Sequence, residues 1–314
     1  MREFLKKTVA MLIGVVVALV LLELACQAFY AFYVTKKLTA QQQDPLHYYQ
    51  PSEDPVLVYE LKPGYSIEKD GRRIHINANG IRDDEDQTHA PRRIAILGDS
   101  VPFGTALSQE ETLPAALQRL SGDSVKVLNF GTPGYGLEEI SRFLEIHWPQ
   151  YRPQKVVYLL NLNDYSRRNT VYEGADNGLY RIYKKPFLKM PFLIRKAIYR
   201  MVKGGQMSSV AWYRWLYEGN KKEGLAEIEK MKKLADEKGF EFEVVLFPPA
   251  VAYSDGFQLE DVAQDLEKEL DSRGIPFYAP IEVFSENTAA LQDNTDHMTP
   301  EGCEKLAQWM NEHL

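Results

Sequence analysis

The residues of this chain best suited to covalent chemistry are a serine and a late histidine. Ser100 ends a Gly-Asp-Ser triplet that directly follows the apolar run at 94–97, and His297 ends the acidic stretch at 293–297. Serine is a weak nucleophile unless a neighbouring base takes its proton. A neutral imidazole can do so near physiological pH. The pair therefore predicts nucleophilic catalysis, with Ser100 as the nucleophile and His297 as its base.

Two more motifs predict what such a serine attacks. Residues 125–136 are predicted to form a strand and then a glycine-rich turn containing Gly134, and residues 156–164 a strand and then a polar turn containing Asn163. In a parallel sheet these turns lie on the same edge as the turn at Ser100. A backbone N–H near Gly134 and the side-chain amide of Asn163 could then converge on the oxyanion of an acyl group under attack. This arrangement predicts cleavage of an ester.

In the order of these motifs the chain resembles the SGNH hydrolase superfamily, also called the GDSL esterases, over roughly residues 92–314. The resemblance places the family's serine on Ser100 and its oxyanion glycine on Gly134. It places the family's asparagine on Asn163 and its histidine on His297. It implies a serine ester hydrolase that works through an acyl-enzyme intermediate.

The chain departs from the family pattern at two places. Asn161 stands where the third block usually has glycine, which predicts a turn with unusual backbone angles that asparagine tolerates. In the last block the family spaces its acid three residues before the histidine, but that position is Asn294 here. We favour Asp293 as the partner of the imidazole, because adjacent side chains in a turn tend to diverge. Asp296, Asn294 or a backbone carbonyl are the alternatives.

Other chemistries lack their motifs in this chain. It contains no G-x-S-x-G elbow, no G-x-x-x-x-G-K-[ST] loop, no H-E-x-x-H and no paired cysteine motif. We therefore expect no cofactor and no metal ion. Cys26 and Cys303 fall in the apolar N-terminal stretch and in the last predicted helix, so each is predicted to be a small buried apolar residue rather than half of a disulfide.

The N-terminal segment predicts where the chemistry takes place. Apart from Glu23 and Gln27, residues 9–34 are apolar, and three basic residues precede them. As a helix this stretch is roughly 39 Å long, enough to cross a bilayer core of about 30 Å. We predict a single-pass anchor at 1–34 that holds the rest of the chain outside the cytoplasm, with the lipid bilayer as a partner and no nucleic acid. A cleaved signal peptide is the alternative.

The remainder of the chain divides into an accessory part and a main domain. Residues 35–91 are predicted to be a polar linker and a small accessory β unit, with hairpin strands at 56–61 and 73–77. The segment NANGIR at 77–82 resembles those that precede the serine block in membrane-anchored bacterial SGNH proteins. From 92 to 314 the predicted strands and helices alternate. Five parallel strands with helices on both faces predict a flavodoxin-like three-layer α/β/α fold.

A long insertion, about residues 165–217, follows the third block. Its first part, 165–205, carries ten Lys or Arg against two acidic residues, in a chain whose net charge is -7. Because the insertion begins beside Asn163, it is predicted to form a lid or wall of the active site. The alternatives are a solvated helical excursion, a surface for anionic lipid headgroups, or a surface for an acidic polysaccharide.

The sequence leaves three functions open. The first is a membrane-anchored esterase that removes an acyl group, for example acetyl, from an extracytoplasmic carbohydrate or a similar ester such as an acylated polysaccharide. The second is an O-acyltransferase that uses the same serine. The third is a non-catalytic envelope assembly protein that keeps the fold, an alternative that the irregular spacing before His297 leaves open.

Overall fold

The computed structural model describes residues 1–36, 39, 47–84, 90–166, 187–203, 209–285, 288 and 297–314. The chain divides into two compact units. The first unit consists of Met1–His47 and Asn169–Gly205, and the second of Tyr48–Arg168 and Gln206–Leu314. This division groups much of the predicted insertion with the N-terminal residues.

The described residues of the second unit form both strands and helices. The strands are, in chain order, β1 (Tyr49–Pro51), β2 (Tyr59–Leu61), β3 (Ser66–Lys69), β4 (Arg72–His75), β5 (Arg92–Gly98), β6 (Val125–Gly131), β7 (Lys155–Asn161), β8 (Glu241–Phe247) and β9 (Phe277–Tyr278). The α-helices of both units are α1 (Arg2–Phe29), α2 (Ser100–Phe103), α3 (Leu113–Ser121), α4 (Leu137–Tyr151), α5 (Lys189–Lys203), α6 (Val210–Lys238), α7 (Glu260–Asp271), α8 (Ile281–Ser285) and α9 (Pro300–His313).

A five-stranded parallel sheet forms the centre of the second unit. Its strand order is β6-β5-β7-β8-β9, with every pairing parallel. This is the strand order of flavodoxin-like folds: β6 pairs on one side of β5, and β7, β8 and β9 follow on the other side. The predicted fold class is confirmed. All seven residues of β7 are buried, as expected for a parallel strand covered on both faces by helices.

Helices cover both faces of this sheet. Helices α3 and α9 pack on the face that carries Ile96, Val157 and Val245. Helices α4 and α6 pack against each other and against β5 and β8, on the opposite face. Local capping fixes where α9 begins: the Thr299 hydroxyl accepts a hydrogen bond from the Gly302 N–H, and Pro300 is the first residue of the helix.

The accessory β unit differs in its pairing from the prediction. Strand β4 pairs with β3 around a tight turn at Asp70 and Gly71, whereas β2 pairs with β1. Only the end of the predicted strand at 56–61 is extended. Its beginning is a turn because the Asp54 carboxylate accepts hydrogen bonds from the two backbone N–H groups at 56 and 57, and Val58 has a φ of 63°. A side-chain cap at this point overrides the alternating pattern.

In the first unit, α1 continues as a π-helical turn over Tyr30–Val34. Within the described part of the chain, one helix, Arg2–Tyr33, is long and apolar enough to cross a membrane, with a mean hydropathy of 2.8 in its most apolar stretch. None of that stretch is buried inside the protein. Helix α5 packs against α1.

Candidate active site

Ser100 and His297 meet at the carboxyl edge of the parallel sheet. Nε2 of His297 lies 2.8 Å from Oγ of Ser100, although the two residues are 197 positions apart. The imidazole ring thus turns its Nε2 towards the serine. At this distance the imidazole can take the proton of the serine hydroxyl.

The sequence Gly-Asp-Ser turns the chain sharply between β5 and α2. Gly98 has a φ of 154°, and a Cβ on it would lie 2.8 Å from the carbonyl oxygen of Leu159, so no larger residue fits. Asp99 is the N-cap of α2, and its Oδ1 accepts a hydrogen bond of 2.9 Å from the Val101 N–H. Its Oδ2 lies 3.2 Å from Oγ of Ser100. These contacts fix Ser100 in the first turn of the helix.

Arg82 closes the other end of this short helix. Its guanidinium is buried and donates hydrogen bonds to the carbonyl oxygens of Phe103 at 2.8 Å, Gly104 at 2.7 Å and Leu107 at 2.8 Å. The guanidinium also lies over the Phe103 ring, 4.8 Å from its centroid. The last carbonyls of a helix have no partner within it. Arg82 supplies that partner from the accessory β unit.

The predicted oxyanion glycine lies in a tight turn after β6. The Tyr135 N–H donates to the Thr132 carbonyl at 3.3 Å, and Gly134 has a φ of 81°, which makes 132–135 a type II turn with Pro133 in its second position. The Thr132 N–H donates to the carbonyl of Gly98 at 3.1 Å. The turn is thus bonded to the triplet that carries Ser100.

Tyr59 of the accessory unit orients one peptide group of this turn. Its hydroxyl is buried and donates a hydrogen bond of 2.9 Å to the carbonyl oxygen of Pro133. In a trans peptide the carbonyl and the following N–H point in opposite directions. The bond to Tyr59 therefore directs the Gly134 N–H away from the accessory unit. The Tyr135 hydroxyl donates in return to the backbone oxygen of Tyr59 at 2.6 Å.

Asn163 lies in the 3₁₀ turn Leu162–Tyr165 directly after β7. The expectation of unusual backbone angles at Asn161 is wrong, because that residue is extended, with φ -97° and ψ 137°. Its Oδ1 instead accepts the Asn163 N–H at 3.3 Å, and Asp164 Oδ2 accepts the Asn161 N–H at 3.1 Å. Asparagine thus caps this turn with its side chain. Oδ1 of Asn163 is buried and accepts no hydrogen bond from the residues that the structure describes.

The candidate acids predicted for His297 belong to the segment just before it. Asp293, Asn294 and Asp296 lie outside the described residues, so the choice among them stays a prediction.

Among the described residues, no group of three or more His, Cys, Asp or Glu side chains is arranged to hold a metal ion. Cys303 is buried, and burial raises the pKa of its thiol to about 12, in keeping with a packing role.

Two residues of the site, Tyr59 and Arg82, were not identified from the sequence. Arg82 ends the NANGIR segment, whose resemblance to membrane-anchored SGNH proteins is the available signal. The structure explains the segment: the Asn77 side chain accepts hydrogen bonds from the Asn79 and Ile81 N–H groups and so shapes the loop that delivers Arg82. Tyr59 has no comparable signal, since its partner lies 74 positions away.

Comparisons with known proteins add likenesses of fold. No family model and no curated protein matches the chain. Similar solved structures include a protein of the G-D-S-L lipolytic family from Desulfitobacterium hafniense, with 13% identity, 71% of this chain and 99% of that chain covered, and a TM-score of 0.45. A lipolytic G-D-S-L protein from Veillonella parvula has 14% identity, with 71% and 98% covered and a TM-score of 0.44.

A carbohydrate acetylesterase family member from Sinorhizobium meliloti has 14% identity, with 70% of this chain and 96% of that chain covered and a TM-score of 0.41. The chain resembles the SGNH hydrolases. Because identity and TM-score are low, the case for this resemblance rests on the four motifs, the strand order and the contact between Ser100 and His297.

We predict that Tyr59→Phe lowers kcat about tenfold and changes KM little. The ring stays packed, but the Pro133 carbonyl loses the hydrogen bond that orients the peptide group carrying the Gly134 N–H. The measurement is steady-state hydrolysis of a short acyl nitrophenyl ester. Tyr135→Phe is the matched control, since it removes a hydrogen bond from the same pair of rings and leaves the Pro133 carbonyl bonded. Equal losses in the two variants would show that Tyr59 acts only through packing.

Proposed function

We propose that this chain is a serine ester hydrolase of the SGNH type. The observation that carries the proposal is the distance of 2.8 Å between Nε2 of His297 and Oγ of Ser100, at the carboxyl edge of a flavodoxin-like sheet. A general base in hydrogen-bonding contact with a serine is the arrangement that activates this nucleophile. The motif order of the SGNH hydrolases supports the same reading.

The first half of the reaction forms an acyl-enzyme. His297 Nε2 takes the hydroxyl proton while Oγ of Ser100 attacks the acyl carbon, giving a tetrahedral intermediate. The imidazolium then returns this proton to the leaving alkoxide as the bond between the acyl carbon and the alkoxide oxygen breaks. In the second half a water molecule gives a proton to His297 and attacks the acyl carbon, and the Ser100 oxygen leaves with that proton.

In this mechanism the oxyanion is stabilised by the Gly134 N–H and the Asn163 side chain. The hydrogen bond from Tyr59 to Pro133 supports the first assignment, because it holds the peptide in one orientation before substrate binds. The capped 3₁₀ turn after β7 supports the second, because it fixes the backbone of Asn163. Donors that are already oriented cost no reorganisation during the reaction.

The proposed substrates are O-acyl groups, for example acetyl, on an extracytoplasmic carbohydrate such as a polysaccharide. The extracytoplasmic location of the substrate rests on a second proposal, that α1 anchors the chain in a membrane with the second unit outside the cytoplasm. Three basic residues precede the apolar stretch, and the side chains of its residues 9–22 are exposed in the folded chain. Exposed apolar area of this extent favours a lipid environment.

We predict that Ser100→Ala abolishes hydrolysis of short acyl nitrophenyl esters by the full-length protein in detergent. Loss of a triad nucleophile costs on the order of 10⁴ to 10⁶ in turnover. The matched control is Ser272→Ala, which removes an exposed hydroxyl at the end of α7. Thermal unfolding of both variants checks that the fold is kept. Equal turnover in Ser100→Ala and the parent protein would refute the mechanism.

For the acid we propose Asp293, with Asp296 as the alternative. Asp293→Asn is expected to lower turnover by several orders of magnitude, because the imidazolium formed on His297 loses its stabilising carboxylate. Asp296→Asn is expected to cost about tenfold or less. The two variants are compared in the same ester assay. The reverse ranking would assign the acid to Asp296, and two small effects would leave a dyad.

We predict that the full-length protein sediments with membranes and resists extraction by alkaline carbonate. Protease added on the extracytoplasmic side is expected to digest the second unit, because the basic leader favours an N-terminus inside. A chain that starts after the apolar stretch and remains in the soluble fraction would identify the stretch as a cleaved signal peptide instead.

A further inference from the structure

Within the first unit, α5 begins on the side of α1 at a carboxylate. Glu23 accepts hydrogen bonds of 2.8 Å from the backbone N–H groups of Lys189 and Met190. Gln27 donates one of 2.8 Å to the carbonyl oxygen of Phe187. A carboxylate at a helix N-terminus pairs with the unsatisfied N–H groups there and with the helix dipole. The two polar residues of the apolar stretch therefore serve to fix the start of α5.

In the proposed anchor, the contact of Glu23 and Gln27 with the start of α5 lies at the interface on the extracytoplasmic side of the bilayer. Residues 8–22 of α1 are roughly 22 Å long as a helix and cross most of the bilayer core, and the side chains of Lys6 and Lys7 before them can reach the inner headgroups by snorkelling. Directly after Glu23 and Gln27 come four aromatic residues: Phe29, Tyr30, Phe32 and Tyr33. Aromatic residues concentrate where the hydrocarbon meets the headgroups. Lys189 adds a cation over the Tyr30 ring, 4.8 Å from its centroid.

Helix α5 exposes an apolar stripe from this point onwards. Ile194 is 48% exposed, Ile198 47% and Met201 86%. Their spacing of four and three residues places them on one face of the helix. The helix also carries five Lys or Arg and no acidic residue; of these cations Arg195 is exposed and Lys196 is half-buried. This combination is typical of helices that lie in the plane of an anionic membrane surface.

We propose that α5 lies on the outer leaflet and binds anionic phospholipid, with Ile194, Ile198 and Met201 in the lipid and Arg195 and Lys196 at the phosphates. The proposal rests on the proposed anchoring of α1 and extends it. The charge of α5 complements an anionic headgroup layer. The hydrogen bonds from Glu23 and Gln27 place the helix at the depth of that layer. The chain would then hold the membrane by a spanning helix and by an in-plane helix.

The test is amide hydrogen exchange on the full-length protein in nanodiscs of phosphatidylcholine, with and without phosphatidylglycerol. The amides of 189–203 are expected to exchange about tenfold more slowly when phosphatidylglycerol is present, because opening the helix then requires it to leave the surface. Helix α7, an amphipathic helix of the second unit, is the internal control and should not change. The double variant Arg195→Gln with Lys196→Gln should lose most of the difference, whereas Glu260→Gln with Asp261→Asn on α7 should keep it.

Equal exchange rates in the two kinds of nanodisc would overturn the proposal. So would slowing of α5 by a soluble acidic polysaccharide in phosphatidylcholine alone, which would assign the surface to that polymer. Carbonate extraction of cell membranes that contain the full-length protein separates this failure from that of the anchor. A protein that stays in the membrane with no lipid-dependent exchange contradicts only the role of α5, and one that is extracted contradicts both proposals. Ester hydrolysis in detergent tests the catalytic proposal independently of either result.

Discussion

The structure of the site depends on a buried cation that binds carbonyl oxygens instead of a carboxylate. Among the described residues Arg82 has no ion-pair partner, and its guanidinium is bonded to the carbonyls that end the nucleophile helix. Burial lowers its pKa to about 10, which still leaves it protonated at neutral pH. Leaving several buried carbonyls without a donor would cost about 1 to 3 kcal/mol for each. A four-residue helix is too short to be stable alone, so this cap fixes the position of Ser100.

The accessory β unit is therefore part of the candidate site, because two of its side chains hold the turns that form the site. It supplies Arg82 to the nucleophile turn and Tyr59 to the turn that contains Gly134. Both contacts are hydrogen bonds to backbone carbonyl groups, and so they set the direction of the main chain at the two turns. The parallel sheet brings the turns together, and the accessory unit fixes their orientation.

What the sequence predicts well here is what short-range patterns encode. Apolar strands followed by polar turns identify the carboxyl edge of the sheet, and with it the contact of Ser100 and His297. The predicted pairing of the accessory strands is wrong because the Asp54 side chain binds the backbone N–H groups of the next residues and forms a turn where the alternating pattern predicts a strand. The predicted backbone conformation of Asn161 is wrong because the side-chain oxygen of this residue accepts the Asn163 N–H and forms the turn while the backbone stays extended. Tyr59 acts on a residue far away in sequence, which no local pattern records.

If His297 activates Ser100 as a nucleophile, Ser100 reacts with covalent probes of serine hydrolases. The full-length protein is treated with a fluorophosphonate, whose fluoride is displaced when a serine oxygen attacks phosphorus, and its intact and peptide masses are measured. We expect one phosphonyl adduct for each chain. It should be located on Ser100, and it should be lost in the His297→Ala variant. An unlabelled protein, or an adduct on a different serine, would contradict this mechanism.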